Sequence, residues 1–163
     1  MKELLLKDKI FVTGIFGSGK TYFCKNFIAK NPKYNYLDFD SNYNYQTKNL
    51  DKVHRLMESH EHFLIDALPL NGSSESLKYF QNYCLNNDCT IILMKCDIDV
   101  WLNRLNSKEW YNKEAINEYK NNYNEFYSTW KEKSPKIGEH LLESFISGKI
   151  YIYDNSVNID REQ

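Results

Sequence analysis

The 163 residues are 42% hydrophobic and 26% charged, a composition that buries a core and excludes a disordered tract. A net charge of −1 excludes a polybasic nucleic-acid or membrane binder, and the four cysteines (Cys24, Cys84, Cys89, Cys96) form no C-x-x-C pair for a disulfide scaffold or a zinc site. No run approaches the ~20 apolar residues of a membrane span, so a soluble, cytoplasmic protein without membrane association is expected.

Apolar runs alternate with helical patterns along the chain, the sequence form of an α/β domain with a parallel sheet. The first strand is predicted over Ile10 to Thr13, followed by a Gly-rich turn and a helix with Phe23, Cys24, Phe27 and Ile28 at helical spacing. Asn31-Pro32 stops that helix. A second strand is predicted from Tyr36 to Asp40, then a helix with Leu50, Val53, Leu56 and Met57 on one face. His62 to Leu68 reads as the third strand, Ser73 as the cap of a helix carrying Leu77, Phe80 and Cys84, and Thr90 to Cys96 as the fourth strand.

Asp97 is placed to cap a short helix through Val100, Trp101 and Leu105. A long helix from about Lys113 to Lys131 carries Ile116, Tyr119, Tyr123, Phe126, Tyr127 and Trp130 three or four apart. Ser134-Pro135 opens a last helix with Leu141, Leu142, Phe145 and Ile146 that ends at Gly148, and Lys149 to Tyr153 is the fifth strand. The expectation is one three-layer α/β/α domain over residues 1–163, with a five-stranded parallel sheet in the order 2-3-1-4-5.

The chemistry concentrates in Gly14-Ile15-Phe16-Gly17-Ser18-Gly19-Lys20-Thr21, a complete G-x-x-x-x-G-K-[ST] between a strand and a helix. Glycines let the backbone curl so that successive N–H groups face phosphate oxygens, and the following helix adds its positive end. Phe16, Gly17, Ser18 and Gly19 would supply the cradle, Lys20 would reach the β- and γ-phosphates of ATP, and the Thr21 hydroxyl would ligate Mg²⁺. Charge agrees: residues 1–60 sum to +4 and residues 61–163 to −5, so an anionic ligand favours the first part.

Asp66 follows Phe63-Leu64-Ile65, which puts a carboxylate at the C-terminal end of a strand, where it could support the metal. Asp38 and Asp40 stand two apart, so on a strand both would point to one face, and either could orient and deprotonate an acceptor. Two later segments argue against a switch GTPase. Met94-Lys95-Cys96-Asp97 lacks the asparagine of a guanine-specificity loop, and Asp66-Ala67-Leu68-Pro69 lacks the glycine of D-x-x-G.

From Lys9 through Asp40, including Phe27-Ile28-Ala29-Lys30-Asn31-Pro32, and on through Phe63 to Asp66, the sequence resembles P-loop kinases of the nucleoside monophosphate kinase group. Within that group it is most similar to the polynucleotide 5'-hydroxyl kinase branch. The stretch from Trp101 to Trp130 loosely resembles the lid and following helix of deoxynucleoside and thymidylate kinases. The resemblance implies a P-loop NTPase fold with a lid near residues 105–115, Asp40 as general base, and Arg104 at the donor nucleotide or its phosphates. It implies transfer of the γ-phosphoryl of ATP to a nucleoside, nucleotide or nucleic-acid acceptor. The alternatives are a nucleotide-binding regulatory module without acceptor and a kinase of another small metabolite.

Overall fold

A computed structural model of the chain describes residues 8–44, 46–67, 79, 80, 82, 83, 86–131 and 150–154. Its elements are β1 (Lys9–Thr13), α1 (Lys20–Lys30), β2 (Asn35–Leu37), α2 (Phe39–Asn42), α3 (Asp51–Glu58), β3 (Phe63–Ile65), β4 (Cys89–Lys95), α4 (Ile98–Asn106), α5 (Ile116–Lys131) and β5 (Ile150–Asp154). Strands β2, β3, β1 and β4 lie side by side in that order, all parallel, and β5 pairs with β4.

Strand alternation divides the core between the two faces of the sheet. Ile10, Val12, Leu64, Ile92 and Met94 pack with Cys24 of α1 on one side. Phe11, Phe63, Ile65, Ile91 and Leu93 pack on the other with Val53 and Met57 of α3, Trp101 and Leu105 of α4, and Tyr123 and Tyr127 of α5. Apolar residues on both faces of every central strand require helices on both faces, so the continuous runs of β1 and β4 are the cause of the layering. Phe11 meets Phe63 edge-on at 6.2 Å and Phe80 at 5.7 Å, which ties Phe80 to the sheet. Residues 79, 80, 82, 83 and 86 are helical.

The expected second strand is corrected. It ends at Leu37, and Phe39–Asn42 is a short helix with Asp38 at its N-cap position. The cause is long-range: the Phe39 N–H donates to the Asp66 carboxylate at 2.9 Å and so cannot extend the ladder. The third strand likewise stops at Ile65. The long helix begins at Ile116, because the Asn112 side chain accepts from the Glu114 N–H at 3.0 Å and sets a 3₁₀ turn over Lys113–Ala115. Asp97 takes the N-cap position of α4, but its side chain makes no capping hydrogen bond. The predicted Ser73 cap and the helix from Ser134-Pro135 to Gly148 lie outside the described residues. Among the described residues no helix is long and apolar enough to cross a membrane.

Candidate functional site

The site forms at the C-terminal ends of the strands, where open α/β sheets place their ligands. Gly14 to Gly19 links β1 to α1. Gly17 has a φ of 76°, a conformation that L side chains rarely adopt, and the Ser18 N–H closes the turn on the Ile15 carbonyl at 3.0 Å. A Cβ on Gly14 would come within 2.8 Å of the Met94 Cβ, so the loop starts flush against β4 only because that atom is missing. No acidic side chain stands in the first turn of α1, and no side chain caps its N-terminus. That end keeps its positive character for an anion.

The tip of the loop is held by α4. Trp101, fully buried, donates its indole N–H to the Phe16 carbonyl at 2.8 Å across 85 residues of sequence. Phe16 packs at 5.5 Å from Trp101 and 6.0 Å from Trp110, and both Phe16 and Trp110 are exposed. Trp110 lies in the segment expected as the lid.

Lys20 sits half-buried, and its ammonium donates to the Gly14 carbonyl at 2.7 Å. Burial holds its pKa below the usual lysine value, opposed first by Asp66 and then by Asp40. Asp66 is half-buried and accepts from the Phe39 N–H through one oxygen and from the Tyr36 hydroxyl, at 2.7 Å, through the other. The Thr21 side chain stands beside the Tyr36 hydroxyl. The structure thus gathers Lys20, Thr21, Asp66 and Asp40 into one neighbourhood, with Tyr36 as the bridge that sequence reading missed.

Asp38 and Asp40 do not share a strand face. Asp38 holds the start of α2, accepting from the Ser41 hydroxyl at 2.9 Å, while its backbone carbonyl accepts from the Asn42 amide at 2.6 Å. Asp40 is exposed within α2, and it is Asp40 that contributes to the field at Lys20. Arg104 is half-buried on α4, one turn beyond Trp101, with Nε and Nη1 shielded from solvent. Of the aromatic stripe on α5, Tyr123 and Tyr127 are core. Their hydroxyls donate to the carbonyls of Cys96 and, at 2.7 Å, Met94. Tyr119 stacks on Tyr111 at 5.4 Å, and the side chain of Trp130 lies outside the described residues.

The fold matches that of shikimate kinase from Bacteroides thetaiotaomicron at 14% identity and a TM-score of 0.53, over 95% of this chain and 90% of that one. A sugar kinase from Janibacter sp. aligns at 9% identity with a TM-score of 0.47, over 90% of this chain and 84% of that one. No protein-family profile and no curated protein matches the sequence. The likeness to the shikimate kinase is therefore one of fold, an α/β kinase-type fold with a parallel sheet.

A magnesium ion bound with a polyphosphate takes oxygen ligands, keeps several waters and needs only one or two protein groups. The donor set here fits: a hydroxyl at Thr21 and a carboxylate at Asp66, joined through Tyr36. Among the described residues no group of three or more His, Cys, Asp or Glu could form a cage of its own.

Burial raises the Asp66 pKa, and the hydrogen bonds from Phe39 and Tyr36 only partly offset it. A carboxyl raised in the folded state contributes stability that is fully present below its unfolded pKa and is lost as pH rises through the folded value. Asp66→Asn keeps an acceptor for the Phe39 N–H without the buried charge. We expect its melting temperature at neutral pH to equal or exceed that of the parent, and the affinity for Mg²⁺ in turnover to fall about 10- to 100-fold. Melting curves taken between about pH 4 and 8, beside Mg²⁺ titrations of activity, check both; a variant as active as the parent would remove Asp66 from the metal.

Proposed function

We propose that the protein is an Mg²⁺-dependent ATP phosphotransferase. The observation that carries this reading is the convergence of Lys20, Thr21, Asp66 and Asp40 at a complete phosphate-binding loop. The kinase-type fold supports it at the level of architecture.

In this reading the N–H groups of Gly17, Gly19, Lys20 and Thr21 at the α1 N-terminus bind the phosphates of ATP, and Lys20 turns from the Gly14 carbonyl to the transferring phosphoryl group. Thr21 and Asp66 would hold Mg²⁺, which supplies charge neutralisation when bound. Asp40 accepts the proton of the acceptor hydroxyl as its oxygen bonds to the γ-phosphorus. The bond from the γ-phosphorus to the β,γ-bridging oxygen breaks, ADP leaves, and the proton passes from Asp40 to solvent. Arg104 lies on the helix that grips the loop tip, and the segment of residues 105–115 is the lid that would exclude water.

The acceptor is a hydroxyl or phosphate of a nucleoside, nucleotide or nucleic-acid end, as the resemblance of residues 9–40 suggests, or of a small metabolite. The test is a panel. Purified protein with γ-labelled ATP and Mg²⁺ is offered nucleosides, nucleotides, 5'-hydroxyl oligonucleotides and sugars. Label moves to at least one acceptor class in the Lys20-intact protein and to none with Lys20→Ala. ATP binding without transfer to any acceptor would favour the regulatory module.

A further inference from the structure

Tyr36 is the middle residue of β2, and its place in the sheet explains where its side chain goes. It pairs with Leu64 of β3 in parallel register, so it shares the sheet face on which Leu64 packs with Cys24 of α1. Its ring lies half-buried against that cluster, and its hydroxyl reaches the C-terminal edge of the sheet. There it donates to one oxygen of Asp66 at 2.7 Å and stands beside Thr21, the second residue of α1. The ends of β2, β3 and the start of α1 thus meet at one hydroxyl.

The Asp66 carboxylate is held from two sides. The Phe39 N–H takes its other oxygen at 2.9 Å, and that bond anchors the start of α2, the helix that bears Asp40. One donor on each oxygen fixes the plane of the carboxylate, which a single bond would leave free to turn. A carboxylate has about four acceptor positions, so the bonds from Tyr36, Phe39 and its own N–H leave it capacity to accept from water or to share a cation. A cation held between Thr21 and Asp66 would therefore meet a carboxylate already ordered, without the entropic cost of ordering it on binding.

We infer that Tyr36 is a positioning residue for the divalent cation bound with the nucleotide: its hydroxyl holds the Asp66 carboxylate in a fixed orientation beside Thr21. The inference rests on the phosphotransferase reading and deepens its metal site. Groups that orient a metal-binding carboxylate typically contribute about 10- to 100-fold in metal affinity. Tyr36→Phe keeps the ring against its cluster and removes only the bond to Asp66. The Phe39 N–H still holds the other oxygen, so α2 and Asp40 stay in place. The loss falls on cation affinity and spares kcat.

The test is the Mn²⁺ affinity of the protein carrying a non-hydrolysable ATP analogue, read from the free-Mn²⁺ electron paramagnetic resonance signal with protein in excess over analogue. Tyr36→Phe should bind Mn²⁺ about 10- to 100-fold more weakly than the parent, with affinity for the analogue in the absence of divalent cations unchanged. With the acceptor found by the panel, the Mg²⁺ needed for half-maximal turnover should rise by a similar factor while kcat at saturating Mg²⁺ stays near parental. In an Asp66→Ala background, where no carboxylate remains to be held, Tyr36→Phe should cost no further Mn²⁺ affinity. Tyr34→Phe, which removes a hydroxyl from the same apolar cluster, should leave it at the parental value. Parental Mn²⁺ affinity in Tyr36→Phe, an equal loss in Tyr34→Phe, or a full further loss in the Asp66→Ala background overturns the positioning role and leaves the phosphotransferase standing. So does a Tyr36→Phe chain that fails to fold, because the hydroxyl is then structural. A parent complex that holds Mn²⁺ no more tightly than the analogue does in free solution overturns the metal site together with the inference, and a parent that does not bind the analogue overturns the reading beneath both.

Discussion

Lys20→Ala should lower phosphoryl transfer at least about 10²-fold, the usual cost of removing one group that stabilises developing charge. The fold should survive, because the Lys20 side chain reaches a loop carbonyl and makes no part of either apolar core. Folding could even gain slightly: the ammonium is half-buried with its pKa lowered by desolvation, a cost that alanine does not carry. The prediction is thus a separation, with an unchanged or raised melting temperature beside lost turnover and weakened ATP binding. A folded variant with near-parental kcat/KM would mean that the loop does not work on phosphates.

How far the sequence is legible here depends on the range of the interactions. The loop from Gly14 to Thr21 is a local motif with its strand and helix attached, and β1 and β4 carry unbroken apolar runs, so the parallel α/β architecture was legible. The end of β2 was not. Alternation carried the strand through Asp40, but the Phe39 N–H is claimed by Asp66, 27 residues away, and the chain turns into α2 instead. Tyr36 and Trp101 were hidden for the same reason. Their partners lie 30 and 85 residues off, and nothing in the spacing of a tyrosine or tryptophan announces a distant acceptor. The rotation of α5 was equally hidden, because only the bonds of Tyr123 and Tyr127 to the end of β4 establish it.

The two aspartates of Asp38-Phe39-Asp40 should separate most clearly in kinetics. Strand alternation put them on one face and left them equivalent, but they do not share a strand, and their surroundings distinguish them. Asp38 occupies the N-cap position of α2 and is engaged by Ser41, a structural duty that asparagine can largely keep through its own carbonyl oxygen. Asp40 is exposed on α2 and contributes to the field at Lys20, as an acceptor-side base beside the phosphates must. Asparagine there has nearly the same shape and cannot take a proton. We expect Asp40→Asn to lower kcat by roughly 10² to 10⁴ with little change in KM for ATP, the pattern of a group that acts only as the acceptor is activated. Asp38→Asn should cost some melting temperature and spare part of kcat, and Asp38→Ala should cost about 1 kcal/mol more as the hydrogen bond from Ser41 is lost. Steady-state kinetics on the acceptor identified by the panel, with melting curves for each variant, decide the matter. If Asp40→Asn is near parental and Asp38→Asn inactive, the base is Asp38 and the field of Asp40 at Lys20 is incidental; if both are near parental, the proton leaves by a route outside this segment.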